Sequence, residues 1–307
     1  MAVKFKLGLV LLAFKMLEGY GNRKVFQLAT KLGLNSLSNS EEFDLIKIIE
    51  NYNSTAKSII SIEEFEKNLD KSYEIQKLHR ENEIECLTIF DEKYPNQLRD
   101  LSSPPLLLYT RGNRECMLGK PGIAIIGSRK ATAASIDFAQ KSAQILASHN
   151  IPIISGLALG CDTAAHEGTL QAGGETIAVL GGGLDNESIY PKGNLKLAQN
   201  IIDNKGCLVS EYPAGNPVAA YTLIERDRIQ SGLSHTVLVI QTKSDGGSMQ
   251  TYKFAKDQNR KVACYTNFEN PAEFSGNIEI LENSETIKID NEKDLDQILS
   301  HQPNTLF

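Results

Sequence analysis

Short apolar runs with no polar alternation recur along residues 122–265, and each ends in a turn of small residues. Ile123-Ala124-Ile125-Ile126 runs into Gly127-Ser128-Arg129-Lys130, and helical spacing follows from about Thr132 to Ser148. Ile151-Pro152-Ile153-Ile154 runs into Ser155-Gly156-Leu157-Ala158-Leu159-Gly160 and then a helix carrying Asp162 and His166, while Thr176 to Leu180 runs into Gly181-Gly182-Gly183. Runs this short and this apolar read as strands buried on both faces, hence parallel strands covered by helices. The alternation continues with a helix from about Asn194 to Asn204, a strand Cys207 to Ser210, a helix Thr222 to Ser231 and a strand Thr236 to Ile240. A helix Met249 to Gln258 and a strand Lys261 to Ala263 complete it. The pattern predicts a doubly wound, mostly parallel α/β sheet. Its turns fall on the carboxyl edge, where open sheets bind ligands and where turn amides and helix N-termini favour phosphate.

Residues 1–80 show long runs at helical spacing and few turn signals, including a helix from Glu41 to Tyr52 with Phe43, Ile46 and Ile49 on one side. They predict a small N-terminal helical domain, with residues 81–307 forming the sheet domain, its connector and a short tail. In the connector, Glu85 to Ile89 reads as a strand, Asp91 to Leu98 as a turn entering a helix, and Leu106 to Tyr109, after Ser103-Pro104-Pro105, as a proline-delimited edge strand. Gly112 to Pro121 reads as a loop. The tail offers a weak strand near Thr286 to Ile289 and a helix near Asp294 to Leu299. Leu17-Glu18-Gly19-Tyr20-Gly21-Asn22-Arg23-Lys24-Val25-Phe26 places two glycines in a turn between helices and two cations in the first turn of the second. That arrangement resembles a helix-hairpin-helix, which grips nucleic-acid phosphate without reading sequence; the plain alternative is a tight turn in a helical bundle.

Composition changes the picture little: 41% hydrophobic and 23% charged residues are ordinary for a globular chain. No stretch approaches the roughly 20 apolar residues of a membrane span. The apolar run Leu7 to Phe14 resembles a short signal h-region, but Lys15, Glu18 and Arg23-Lys24 stand where a cleavage site belongs. A cytoplasmic location without membrane contact is expected. The five cysteines are odd in number and form no CxxC pair, so neither a disulfide framework nor a zinc site is indicated, and no cofactor or metal is expected. The net charge of −6 argues against a nucleic-acid partner, yet its distribution is uneven. Residues 1–31 carry a net +5 and residues 222–263 a net +3, between acidic segments of −8 over 41–92 and −7 over 266–307.

The turns carry the candidate chemistry. Gly127, Ser128, Arg129 and Lys130 combine a tight turn, a hydroxyl and two cations beside a helix N-terminus, as a phosphate site requires. Gly247 and Ser248, with Lys243, Thr251 and Lys253, repeat that chemistry on a neighbouring turn. Ser155 and Gly156, and Gly181 and Gly182, allow a ligand close to the backbone. Neither the dinucleotide fingerprint nor a P-loop is present. Asp162 and His166, four apart on a helix, read as a structural or ligand-orienting pair, since no serine or cysteine nucleophile sits in a recognisable elbow; no catalytic residue is assigned. Glu211 is expected to be structural or ligand-orienting as well. Arg226 and Arg228 point apart on a helix, so one is expected to face the site and the other to meet a carboxylate within the fold. Tyr190, Tyr212 and Tyr221 are candidate platforms for bases. Arg129 has two readings: a phosphate clamp, or a structural partner of Asp162 or Glu211.

Several of these motifs together resemble the DNA-processing protein A (DprA, also called Smf) family: Gly127-Ser128-Arg129, Ser155-Gly156-Leu157-Ala158 with Asp162-Thr163-Ala164-Ala165-His166, and Gly174 to Gly181. Tyr190-Pro191, Ser210-Glu211-Tyr212-Pro213, Arg226-Asp227-Arg228-Ile229 with Ser231-Gly232-Leu233-Ser234, and Gly247-Ser248 with Thr251 follow in the family's order, over roughly residues 85–300. The resemblance implies an extended Rossmann-like fold that binds single-stranded DNA in a basic pocket around Gly127-Ser128-Arg129. It further implies a homodimer that passes the strand to the recombinase RecA in natural transformation, without catalysis. The chain departs from the family pattern at Asp227, Leu159, Gln241 and Gly246, and its tail is too short for the winged helix that many members carry. The alternative is a nucleotide-binding or nucleotide-hydrolysing paralogue. Met249-Gln250-Thr251 stands where the related phosphoribohydrolases place a catalytic glutamate, which counts against hydrolysis.

Overall fold

The computed structural model describes residues 7–34, 44–56, 59–118 and 121–300. Four helices come first: α1 (Leu7–Lys15), α2 (Asn22–Lys31), α3 (Leu45–Asn53) and α4 (Ile62–Glu81). β1 (Ile84–Thr88), the single turn α5 (Asn96–Arg99) and β2 (Leu107–Gly112) lead into the alternating part. That part runs β3 (Gly122–Ile126), α6 (Ala133–Ser148), β4 (Ile153–Ser155), α7 (Cys161–Gln171), β5 (Thr176–Leu180), α8 (Leu195–Asp203), β6 (Cys207–Ser210), α9 (Ala220–Gly232), β7 (Ser234–Val239), α10 (Ser248–Asp257) and β8 (Lys261–Tyr265). α11 (Ser275–Leu281), β9 (Ile287–Ile289) and α12 (Asp296–Ser300) close the chain. The helix expected from Glu41 begins later, at Leu45, because the Asp44 side chain accepts the Lys47 amide at 3.1 Å and caps it. Residues 41–43, together with Lys4, Lys6, residues 119 and 120 of the expected loop, and the last seven residues, lie outside the described ones.

Within each central strand, alternate residues enter opposite layers, which is why continuous apolar runs were needed. Ile123 and Ile125 pack with α6, α7 and the closing segment, whereas Ala124 and Ile126 face the larger cluster on the other side. Leu238 and Ile240 take the first side and Val237 and Val239 the second. The single sheet has nine strands in the order β1-β2-β6-β5-β4-β3-β7-β8-β9. The seven from β6 to β9 are parallel, and β1 and β2 add an antiparallel margin. Chain order runs outward from β3 through β4, β5 and β6, then returns to β7 on the other side of β3. The reversal between β3 and β7 is the topological switch point of a doubly wound sheet. Both faces of β7 are covered, Val237 and Val239 within the larger cluster and Leu238 within the other, so the strand offers no free apolar face. On the preceding helix, Tyr221 and Ile224 are exposed.

The N-terminal helices and the sheet share one apolar cluster. Leu11, Phe14 and Phe65 belong to it alongside Leu107, Val209 and Val239, so the run Leu7 to Phe14 packs as a core helix. Polar contacts reinforce the junction. Glu211, 5% exposed, accepts from Arg228 Nη2 at 2.6 Å and from the Asn22 amide, with Lys15 Nζ 3.9 Å away. Burial alone would push the Glu211 carboxyl up; Arg228, Lys15 and Asn22 outweigh burial and hold it below the usual carboxylate range. His79 Nε2 accepts the Ala214 amide at 3.0 Å, which ties α4 to the same loop. Burial lowers the His79 pKa to about 4, so the ring is a neutral acceptor at pH 7.

Arg228→Ala leaves Glu211 buried without its strongest partner. Losing one side of a buried pair costs about 3–5 kcal/mol, and urea denaturation is expected to show a lower midpoint at unchanged m-value. A midpoint within experimental error of the parent would remove Glu211 from this central role.

Candidate functional site

β3 ends where only glycine fits. A Cβ on Gly127 would lie 2.4 Å from Cys161 Sγ and 3.3 Å from the Gln241 carbonyl. The Ser128 amide donates to that carbonyl at 2.7 Å, and the Gln241 side-chain oxygen accepts the Thr132 amide at 2.8 Å. The Lys130 amide donates to Ser128 Oγ at 3.0 Å. Gln241 thus fills the crevice between β3 and β7, and the chain after Ser128 is turned outward. Arg129 and Lys130 are exposed, and neither forms an ion pair among the described residues.

The turn after β4 supplies the next wall. Leu157 adopts φ +58, a left-handed conformation costing a non-glycine residue about 1–3 kcal/mol. Contacts on both sides over-determine it. Asp162 Oδ2 accepts the Gly156 and Ala158 amides at 3.0 and 3.4 Å, and Asn194 Nδ2 donates to the Leu157 carbonyl and to Thr163 Oγ1, both at 2.8 Å. Arg226 lies across Gly156, where a Cβ would sit 1.4 Å from its Nη1. That Nη1 donates to the Val179 carbonyl at 3.1 Å and to Gln230 Oε1 at 2.7 Å, while Nε lies 3.1 Å from Asp227 Oδ1 in an ionic contact without hydrogen-bond geometry. Nη2 takes part in none of these. Arg129, Gly156, Ala158, Leu159, Tyr190, Pro191, Leu223 and Arg226 surround one small pocket of about 40 Å³. Two guanidinium groups beside a half-exposed tyrosine and leucine suit a phosphate with a planar group stacked next to it.

The other candidates divide. Ser155 is buried and donates its hydroxyl to the Ile125 carbonyl at 2.7 Å, so it holds β3 to β4 rather than reaching a ligand. Gly181 and Gly182 do not open the backbone to a ligand: Cβ atoms there would lie 3.0 Å from the Thr222 carbonyl and 2.7 Å from Val218, so the protein itself fills that space. Thr251 is 2% exposed and its hydroxyl supports Asp227. Lys243 pairs with Glu273 at 3.0 Å. Gly247 is the N-cap of α10, Ser248 its first residue and Lys253 lies in its second turn, and none of them lines the pocket. Of the tyrosines, Tyr190 lines it, Tyr212 hydrogen-bonds Glu225 through its hydroxyl, and Tyr221 is 63% exposed on α9. His166 Nδ1 meets Thr176 Oγ1 at 2.7 Å in a fully buried setting, and burial with the nearby Arg226 charge lowers its pKa to about 3.

Residues 85–300 match the family described as DNA recombination-mediator protein A. The chain belongs to this family. It is 36% identical over 208 residues to protein Smf of Synechocystis, a stretch covering 67% of this chain and 52% of that relative. It is also 36% identical over 197 residues to DNA processing protein DprA of Streptococcus pneumoniae, covering 63% of this chain and 68% of that protein. The match thus spans about half the length of the Synechocystis relative. Among solved structures, DNA processing protein A from Streptococcus pneumoniae superposes with a TM-score of 0.76 at 25% identity, covering 98% of this chain and 99% of that one. DNA processing protein A from Helicobacter pylori, solved for its single-stranded DNA binding mode, superposes at 0.64 with 28% identity over 72% of this chain and 97% of that one. The superposition on the Streptococcus pneumoniae protein takes in nearly the whole chain, N-terminal helices included, whereas that on the Helicobacter pylori protein takes in 72% of it.

Two site residues carried no sequence signal of their own. Leu223 was findable only as the residue three before Arg226 on one helical face. Asn194 braces the Leu157 turn from a segment 36 residues away in sequence or more, and nothing local announces that contact.

Asp227 tunes the pocket's charge. Burial pushes its carboxyl up to about 6 and Asp162 adds to this, while Arg226, the Thr251 hydroxyl and Arg129 pull it back. Above that pH the carboxylate offsets Arg226; below it, protonation leaves the pocket one positive charge richer. Affinity for an oligonucleotide, whose phosphodiesters do not titrate here, is expected to rise as pH falls from 7.5 to 5. Asp227→Asn should bind more tightly than the parent at pH 7.5 and lose most of that dependence. The same raised pKa means that this group's contribution to folding stability falls as pH rises from the ordinary carboxylate value of 3.8 to about 6. A pH profile by fluorescence anisotropy identical in parent and variant would refute the assignment.

Proposed function

We propose that this chain is a single-stranded-DNA-binding recombination mediator that holds phosphate between Arg129 and Arg226, protects the strand and delivers it to RecA. The observation that carries the reading is that Arg129 and Arg226 line one small pocket together with Gly156, Tyr190 and Leu159. Family membership supports the strand as ligand, since the Helicobacter pylori relative was solved for its single-stranded DNA binding mode. The RecA step rests on the family's description as a recombination mediator. A mononucleotide ligand fits less well: the pocket encloses about 40 Å³, against the roughly 300–1,000 Å³ of small-molecule sites. It admits a phosphate and leaves sugar and base outside, as a polymer contact does.

Arg129→Ala removes one charge-assisted contact of about 1.5–3 kcal/mol, an affinity loss of roughly ten- to hundred-fold for oligo-dT. Because Arg129 is exposed and unpaired, the melting temperature should stay where it is. Salt dependence should flatten by about 0.7 in log–log slope, one phosphate's worth on a single strand. Unchanged affinity with a lowered melting temperature would overturn the clamp, and a folded parent protein that ignores oligo-dT at low salt would overturn the function.

The same reading includes a homodimer, which rests on the family resemblance. Light scattering at micromolar concentration should return twice the 33.8 kDa of one chain; a monomer mass at every concentration would remove the dimer from the proposal.

A further inference from the structure

A second and larger cleft, about 520 Å³, opens where the start of α2 faces α9. Arg23 and Lys24 line one side, Ile224, Glu225 and Arg228 the other, with Phe254 at the rim. Its acids are already committed: Glu211 to Arg228, Lys15 and Asn22, and Glu225 to the Tyr212 hydroxyl. Arg23 and Lys24 are exposed and have no carboxylate partner among the described residues, Lys24 resting 3.7 Å over the Tyr20 ring. Glu18, the acid of the hairpin, does not line the cleft. The N-cap Gly21 brings no side-chain acceptor, so the first amides of α2 add their donors to the two cations.

This cleft and the Arg129–Arg226 pocket lie on the two flanks of one helix. Leu223 and Arg226 of α9 face the first, and Ile224 and Arg228 face the second. Tyr221 and Ile224, 63% and 50% exposed, present an apolar surface on the same helix. A helix with its side chains is roughly 10–12 Å across, a span that a strand of several nucleotides bridges and a single nucleotide does not.

We infer that the cleft between α2 and α9 is a second phosphate-binding site, and that one DNA strand leaves the Arg129–Arg226 pocket, crosses α9 over Tyr221 and Ile224, and ends against Arg23 and Lys24. The inference rests on the single-strand reading of the first pocket and gives that strand its direction. Charge complementarity and continuity with the first pocket select a nucleic-acid strand over an acidic peptide, which has no reason to engage both.

The test uses the full chain with Arg23→Ala and Lys24→Ala combined, against oligo-dT ranging from below to above the roughly 4–16 nucleotides typical of single-strand-binding folds. The shortest oligonucleotides should bind the double variant as they bind the parent. Longer ones should lose about ten- to hundred-fold in affinity, with a salt slope shallower by about 1.4. Thermal melting checks that the variant is folded, and Arg23→Ala alone should give an intermediate loss. Equal affinity and slope at every length would overturn the path while leaving the first pocket intact. An equal loss at every length would also overturn it, since the hairpin would then act on the first pocket. A parent that binds no oligonucleotide sinks both readings.

Discussion

A buried cation laid over a glycine organises the carboxyl edge of this sheet. Withdrawing the Arg226 guanidinium from water costs several kcal/mol unless its charge is compensated; Nη1 meets the Val179 carbonyl and Gln230, and the Asp227 carboxylate lies beside Nε. The guanidinium can reach those partners only across a backbone without a side chain, which is why residue 156 is glycine. The turn that presents Gly156 must in turn curl through Leu157 in a left-handed conformation, held by Asp162 on one side and Asn194 on the other. One electrostatic requirement on α9 therefore dictates the shape of the loop after β4.

Two arginines separated by a single residue on that helix serve different ends. Arg228 is spent internally: its nitrogens reach Glu211, the Ser103 carbonyl and the Glu225 carbonyl, and through Glu211 it anchors α1 and α2. Arg226 keeps Nη2 outside its internal contacts. Asp227 stands between them and is tied to Arg226, with its carboxyl raised by burial. A helix turns about 100° per residue, so neighbours two apart face away from each other, and one short stretch of sequence can address both the ligand and the core.

Much of the architecture was legible because buried parallel strands announce themselves as unbroken apolar runs. Cys207 to Ser210 and Thr176 to Leu180 begin and end where the pattern placed them, and the ends of the other strands differ by at most three residues. The candidate site was less legible, because glycine-rich turns look alike in a sequence whatever occupies the space they open. Gly156 yields its space to Arg226, Gly127 to Cys161, and Gly181 to the backbone at Thr222. Only packing separates these cases. Charge was ambiguous for a similar reason: Lys243 is spent on Glu273, whereas Arg23 and Lys24, no different in composition, have no acid to meet.

Gln241 closes the crevice in which a doubly wound sheet ordinarily receives its ligand, and the pocket that remains is shallow and set to one side. A deep slot admits a molecule end first; a shallow notch on an outer edge admits a polymer sideways. On the proposed single-strand reading, a strand settles into such a notch anywhere along its length, with both ends still held elsewhere. Gaps, loops and internal stretches are then as accessible as free termini, and nothing needs to be threaded for the protein to take hold or let go.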